Sequence, residues 1–202
     1  RRWLAGIGQE KVQPVGLALR ALPPLLYGEG HPYAIPFTGS GTEASISALT
    51  RDDLLRFHRQ WLRPSNAKIF VAGDVDLETV MPLLERHFGD WRDYVDSPPE
   101  KVVREVPPPE TSRVFLINRP EAAQTMILAG HLAPPTGVED NLTIETMNDV
   151  LGGQFTSRVN MNLREDKHWA YGAYTILFDA RGQRPWLLYA PVQTDRTADA
   201  IT

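Results

Sequence analysis

Two side chains in this sequence have the types and spacing to act together on a polar substrate: Arg164 and Tyr171, seven residues apart in Arg164-Glu-Asp-Lys-His-Trp-Ala-Tyr171. The Arg closes a short amphipathic helix pattern and the Tyr opens a strand-like run, so both belong to one helix-to-strand junction. A guanidinium there could polarise a carbonyl, and a phenol could donate to an oxyanion. Donors placed where charge develops are a large catalytic term in acyl transfer. The plainer reading is a surface Arg and a core-edge Tyr, and residue types alone leave both open. A glycine pair, Gly152-Gly153, precedes the helix in Leu151-Gly-Gly-Gln-Phe-Thr-Ser-Arg158.

Other chemistries find less support. The histidines are His31, His58, His87, His131 and His168, and no two lie three to five residues apart. A helical zinc site needs two imidazoles four residues apart on one face, so no metal ligands are expected here. Cysteine is absent, which excludes disulfides and thiolate metal sites. There is no G-x-S-x-G elbow around a nucleophilic serine. Gly39-Ser-Gly41 reads as a small-residue turn and lacks the lysine of a phosphate-binding loop. Nor is Gly152-Gly153 a dinucleotide fingerprint. The pair Asp52-Asp53 suits a helix start, and Glu165-Asp166 reads as a local turn or ion pair.

The elements that must position these groups follow from periodicity and breakers. Trp3–Gln13 and Gly16–Tyr27 read as helices divided by Pro14, and Gly28–Ser47 as a loop. Thr50 caps a helix that Pro64 ends, with Leu49 and Leu54 spaced as a hydrophobic staple. Lys68–Ala72 reads as a strand, and Asp76 caps a helix reaching about Phe88. Arg113–Asn118, Gln124–Leu132, Ala170–Phe178 and Pro185–Val192 read as strands. The last two are antiparallel across Ala180-Arg-Gly-Gln183. Asn141–Leu151 and Phe155–Glu165 read as helices. Strand alternation puts Tyr171 on the face of Ala173, Thr175 and Leu177. The expected class is α+β, with helices on one face of a largely antiparallel sheet. Ser97-Pro-Pro and Pro107-Pro-Pro bracket a charged stretch that reads as a semi-rigid linker. The expected organisation is two partial αβ lobes, residues 1–93 and 113–202, joined by a Pro-rich linker at 94–112.

A formal charge of −4 over 202 residues argues against nucleic acid or an anionic membrane as the main partner. No apolar run approaches the roughly 18 residues that span a bilayer. The chain opens on Arg1-Arg2-Trp3 without an initiator Met and ends in a helix-like segment, Thr194–Thr202. It is therefore expected to be a fragment of a longer protein.

Several short patterns recur in a known order: His31-Pro-Tyr33, Gly41-Thr42, Leu49-Thr-Arg-Asp-Asp-Leu54, Pro64-Ser-Asn-Ala67, Val71-Ala-Gly-Asp-Val75, Phe88-Gly-Asp-Trp91, Ala133-Pro-Pro135 and the Leu151–Arg158 stretch. In this order the chain resembles the M16 zinc peptidases, the family of pitrilysin, insulin-degrading enzyme and mitochondrial processing peptidase. The resemblance implies parts of two related αβ lobes that help to enclose unfolded peptides. It matches Arg164 and Tyr171 to a pair thought to hold the substrate carbonyl and stabilise the tetrahedral intermediate, and Gly152 and Gly153 to a turn near the substrate path. The zinc motif H-x-x-E-H would lie upstream of residue 1. A Gly-rich segment stands roughly where the third ligand, a Glu, would fall, and Glu10 is offset from it. The resemblance thus implies the non-zinc half. Zinc is expected in an H-x-x-E-H-bearing partner half or subunit, peptides are the expected substrate, and the fragment alone is expected to be inactive. The alternative is a catalytically inactive structural or peptide-binding subunit of the same family. A Gram-negative periplasmic setting is a family-level expectation only.

Overall fold

The computed structural model describes residues 1–94, 97 and 100–202. In chain order the helices are α1 (Arg2–Val12), α2 (Pro14–Tyr27), α3 (Glu43–Ala48), α4 (Arg51–Trp61) and α5 (Leu77–Phe88). Then follow β1 (Gln124–Ala133), α6 (Asn141–Asn148), α7 (Arg158–Asn160), β2 (Tyr174–Leu177), β3 (Arg184–Gln193) and α8 (Thr197–Ile201). One π turn, Asp149–Gly153, continues α6, and a second, Met161–Asp166, continues α7. The chain forms two compact units, one of residues 1–43 with 103–202 and one of residues 44–102.

In the first unit, Gln13 is extended and Pro14 begins α2, the conformation a following proline imposes and the position where proline suits a helix. The two helices approach closely at Gly16, where a Cβ would stand 2.5 Å from the Glu10 carbonyl oxygen. The sheet has the order β1-β3-β2 and is antiparallel throughout, from Gln124 opposite Gln193 to Ala133 opposite Arg184, and from Tyr174 opposite Tyr189 to Leu177 opposite Trp186. Leu163, Ala173, Ala190 and Val192 form the buried cluster between the α7 segment and the sheet, with Ile127, Val159 and Trp169 against it. The α+β class and the antiparallel β2–β3 pair match the sequence reading.

In the second unit, local signals set the helix starts. Thr50 and Asp53 form a reciprocal capping box at α4, and Asp76 accepts from the Thr79 amide at α5. Leu49 and Leu54, the expected staple, are both exposed.

Three expectations are corrected. Lys68–Ala72 and Arg113–Asn118 are not strands, and the apolar side chains within them, such as Phe70 and Val114, lie exposed. Strand propensity measures the fit to a pleated, half-buried surface, and no neighbouring strand offers one to either segment among the described residues. The loop expected to run to Ser47 yields at Glu43 to α3. Alternation through residues 171–175 also breaks: Ala173 and Thr175 are buried, whereas Tyr171 is 90% exposed. Of the expected linker at 94–112, residues 95, 96, 98 and 99 lie outside the described residues. Its stretch near Val106 is tied down by Gln183, whose side chain accepts from the Val106 amide at 2.6 Å and donates to its carbonyl at 3.0 Å.

Candidate functional site

The departure at Tyr171 has a cause in the β2–β3 register. Ala170 bridges to Val192, while Tyr174 pairs with Tyr189. Four residue steps on one strand therefore face three on the other. The extra residue makes a bulge at Tyr171–Gly172, opposite Pro191, which has no N–H to give to a ladder. Ala173, just past the bulge, donates its amide to the Asn160 side chain at 3.1 Å. Bulges re-aim side chains, and here Tyr171 is turned out to solvent while Ala173 goes to the core.

Arg164 sits in the second π turn, and a π turn shifts the side chains that follow it relative to an α-helix. Leu163 of this turn anchors it in the core, which leaves Arg164 half-exposed at the surface. Its guanidinium lies over the Phe155 ring, 4.6 Å from the centroid, and its Nε is 3.4 Å from the Glu165 carboxylate. Between Arg164 and Tyr171 the chain turns through His168, a non-glycine residue at φ +55°. That left-handed conformation is costly for most side chains. The His168 ring nitrogen Nδ1 is 3.0 Å from the Arg164 carbonyl, and the His168 carbonyl accepts from Gln193 Nε2 at 3.5 Å.

Arg164 and Tyr171 line one open cleft with Gln124, Glu165, His168, Trp169 and Gln193. The strand ends supply the two glutamines, which face each other in register. The cleft thus offers a cation with a carboxylate, Glu165, beside it, a phenol, an imidazole and two carboxamides around a solvent-open space. Such a set can bind a peptide carbonyl and donate hydrogen bonds to an oxyanion.

Gly152 and Gly153 lie in the first π turn, away from the cleft-lining set. Gly152 is buried, and a Cβ there would meet the Thr175 hydroxyl at 2.5 Å and the Thr175 amide nitrogen at 2.6 Å. At Gly153 a Cβ would stand 2.5 Å from the Asp149 carboxylate. Gly152 lets the π turn lie close on β2, and Gly153 makes room within the turn for the Asp149 and Asn148 side chains. Two buried asparagines, which the sequence reading did not single out, complete this fastening. Asn148 accepts from the Trp186 indole N–H at 2.8 Å and, through its carbonyl, from the Thr175 hydroxyl at 3.4 Å. Asn160 donates to the Phe155 carbonyl at 2.7 Å and accepts from Ala173. The signal that could have found them is an amide side chain at a core-facing helix position, which must be satisfied internally.

Elsewhere, Ser40 donates to the Glu10 carboxylate at 2.7 Å, and Arg20 donates to both. The Ser40 hydroxyl bond, then the Arg20 guanidinium, hold the Glu10 carboxyl below its ordinary range against the opposing effect of burial. This network fastens the 38–41 loop to α1 and α2. Among the described residues, no three His, Asp or Glu side chains gather as a metal-binding group, and no helix is long and apolar enough to cross a membrane.

Comparison with known proteins gives the family and the fold. The model of the family described as the peptidase M16 inactive domain matches residues 48–202. An uncharacterized zinc protease of Mycobacterium tuberculosis is 30% identical over 178 residues, which are 87% of this chain and 39% of that protein. A zinc protease of Helicobacter pylori is 22% identical over 85% of this chain and 38% of its own length. Among solved structures, a peptidase M16 inactive domain from Pseudomonas fluorescens superposes with a TM-score of 0.85 at 23% identity, over 99% of this chain and 47% of that one. The chain thus spans less than half the length of these relatives.

Proposed function

Starting from a chain that belongs to the peptidase M16 inactive-domain family, we propose that it is the non-zinc part of a peptide-cleaving assembly and presents Arg164 and Tyr171 to the substrate carbonyl. The observation that carries this reading is the placement of both residues on one open cleft, each by a backbone irregularity. Irregular turns of this kind gather at functional sites. In such an assembly zinc supplies the hydrolytic chemistry from a partner half bearing H-x-x-E-H, and no group in this cleft replaces it. This chain's share is to orient the carbonyl through the guanidinium and to give a phenolic hydrogen bond to the oxygen as it gains charge. The two-lobe division at residues 94–112 belongs to the same proposal. It assigns residues 1–93 to the end of one repeat and 113–202 to the start of the next.

A second reading makes the chain a structural or peptide-binding subunit. It is favoured by the contacts of Arg164 with Phe155 and Glu165, which a purely structural Arg could also make. Peptide hydrolysis by the full-length assembly, wild type against Tyr171→Phe, separates the two. The proposal expects kcat to fall about 100-fold, the scale of losing one oxyanion donor, with KM and zinc content unchanged. Equal rates would leave the chain a scaffold. The 202-residue chain by itself is expected to show no peptidase activity, and EDTA-sensitive cleavage by it would overturn the assignment to the non-zinc part.

A further inference from the structure

We infer that Phe155 is the positioning residue of Arg164, and that Asn160 couples this positioning to the strand that carries Tyr171. The inference rests on the functional reading above for its consequence in catalysis, and on separate geometry for its mechanism. Phe155 occupies the turn Gln154–Ser157, and the residue is 59% exposed. A large apolar side chain left in water at a turn calls for a reason, and its neighbour supplies one. The Arg164 guanidinium lies over the ring, 4.6 Å from its centroid. A guanidinium held over an aromatic face keeps N–H groups for a second partner. That arrangement suits an Arg that must also meet a carbonyl. It also lowers the entropy lost when a long side chain is fixed on a substrate.

The backbone that carries the ring is itself held. Asn160, 5% exposed, donates to the Phe155 carbonyl at 2.7 Å, and its Oδ1 accepts from the Ala173 amide at 3.1 Å. Ala173 follows Tyr171 by two residues, at the far side of the bulge. One buried carboxamide therefore fixes the shelf under the cation and the strand bearing the phenol. Glu165 competes for the same guanidinium from within the π turn, at 3.4 Å. The shelf biases Arg164 toward the Phe155 side of that choice.

The test is a double-mutant cycle in the full-length peptidase assembly, read with an internally quenched unstructured peptide. Phe155→Leu keeps apolar bulk and removes the π face, and it is expected to lower kcat/KM about two- to fivefold, the scale of an exposed cation–π contact. Phe155→Tyr restores the face and is expected to recover that loss. In an Arg164→Ala background, Phe155→Leu is expected to have no further effect. If Arg164→Ala itself leaves hydrolysis unchanged, the functional reading fails and this inference with it. If Arg164→Ala impairs hydrolysis but Phe155→Leu does not, or impairs it equally in both backgrounds, the positioning role alone is overturned.

Discussion

The two compact units solve the same problem with different means. The unit of residues 1–43 and 103–202 has an apolar core: Leu163, Ala173, Ala190 and Val192 are buried between the α7 segment and the sheet. In the unit of residues 44–102, α4 and α5 have strong caps and amphipathic patterns, yet Leu54, Phe57, Leu83 and Phe88 are all exposed. Both units carry a carboxylate–arginine–serine node, Glu10–Arg20–Ser40 in the first and Asp93–Arg63–Ser65 in the second. The contrast shows that capping and periodicity suffice to start and orient a helix, whereas burial of its apolar face needs a partner surface. Local hydrogen bonding is shared by the two units, and the packed core is what distinguishes them.

The contrast can be broken most directly at its apolar end. Leu163→Ala should destabilise the first unit by about 2–5 kcal/mol, while Phe57→Ala on the exposed face of α4 should cost no more than about 0.5 kcal/mol. Urea unfolding of both variants decides it, and equal losses would mean that the α4 face is covered. Gly152→Ala comes next, because its Cβ would fall against the backbone and side chain of Thr175. Overpacking of this kind costs about 1–3 kcal/mol, and the same titration reads it. Thr50→Ala removes one side of the α4 capping box and should cost about 1 kcal/mol. Its effect should show as faster amide exchange in the first turn of α4, with protection of β3 unchanged.

The smallest effects concern the two polar nodes and depend on pH. Hydrogen bonds from Ser40 and then Arg20 lower the Glu10 pKa, and those from Ser65 and then Arg63 lower that of Asp93. A carboxyl whose folded pKa is depressed gives stability that is complete above its unfolded value. That stability is lost as pH falls through the folded one. The ordinary values are 4.5 and 3.8, so the loss should begin below them. Glu10→Gln and Asp93→Asn should each flatten the acid limb of a melting-temperature profile, the first beginning at the higher pH. Unchanged limbs would show that the nodes bind no protons differentially.

Helices were the most legible elements because their signals are local. Thr50, Asp76, Pro14 and Pro64 mark ends that the sequence states openly. Strands were legible only where partners exist: β1 and β3 pair along their whole lengths, while Lys68–Ala72 carries the same apolar signal and pairs with nothing described. At the site, the Arg/Tyr pair was visible as types and spacing, but three determinants of its geometry were not. A π turn is written in the same residues as an α-turn. The bulge depends on register with a strand whose Pro191 is distant in sequence. The left-handed backbone at His168 occurs at a residue that carries no glycine signal. The glycine pair was visible too, and what its spacing could not tell is that Gly152 packs against Thr175.

The one-residue surplus between Ala170 and Tyr174 makes chain length itself a determinant of where the phenol points. Removing Gly172 would equalise the two strands and let the ladder run unbroken from Ala170 to Leu177. Tyr171 would then fall opposite Pro191 and join Tyr174 and Tyr189, whose rings already stack at 4.8 Å, on the face away from Leu163. No side chain would have changed chemistry or face, yet the phenol would stand within the ladder instead of on the bulge beside the cleft. In this segment counting as well as composition decides whether the ring stands in the ladder or off it.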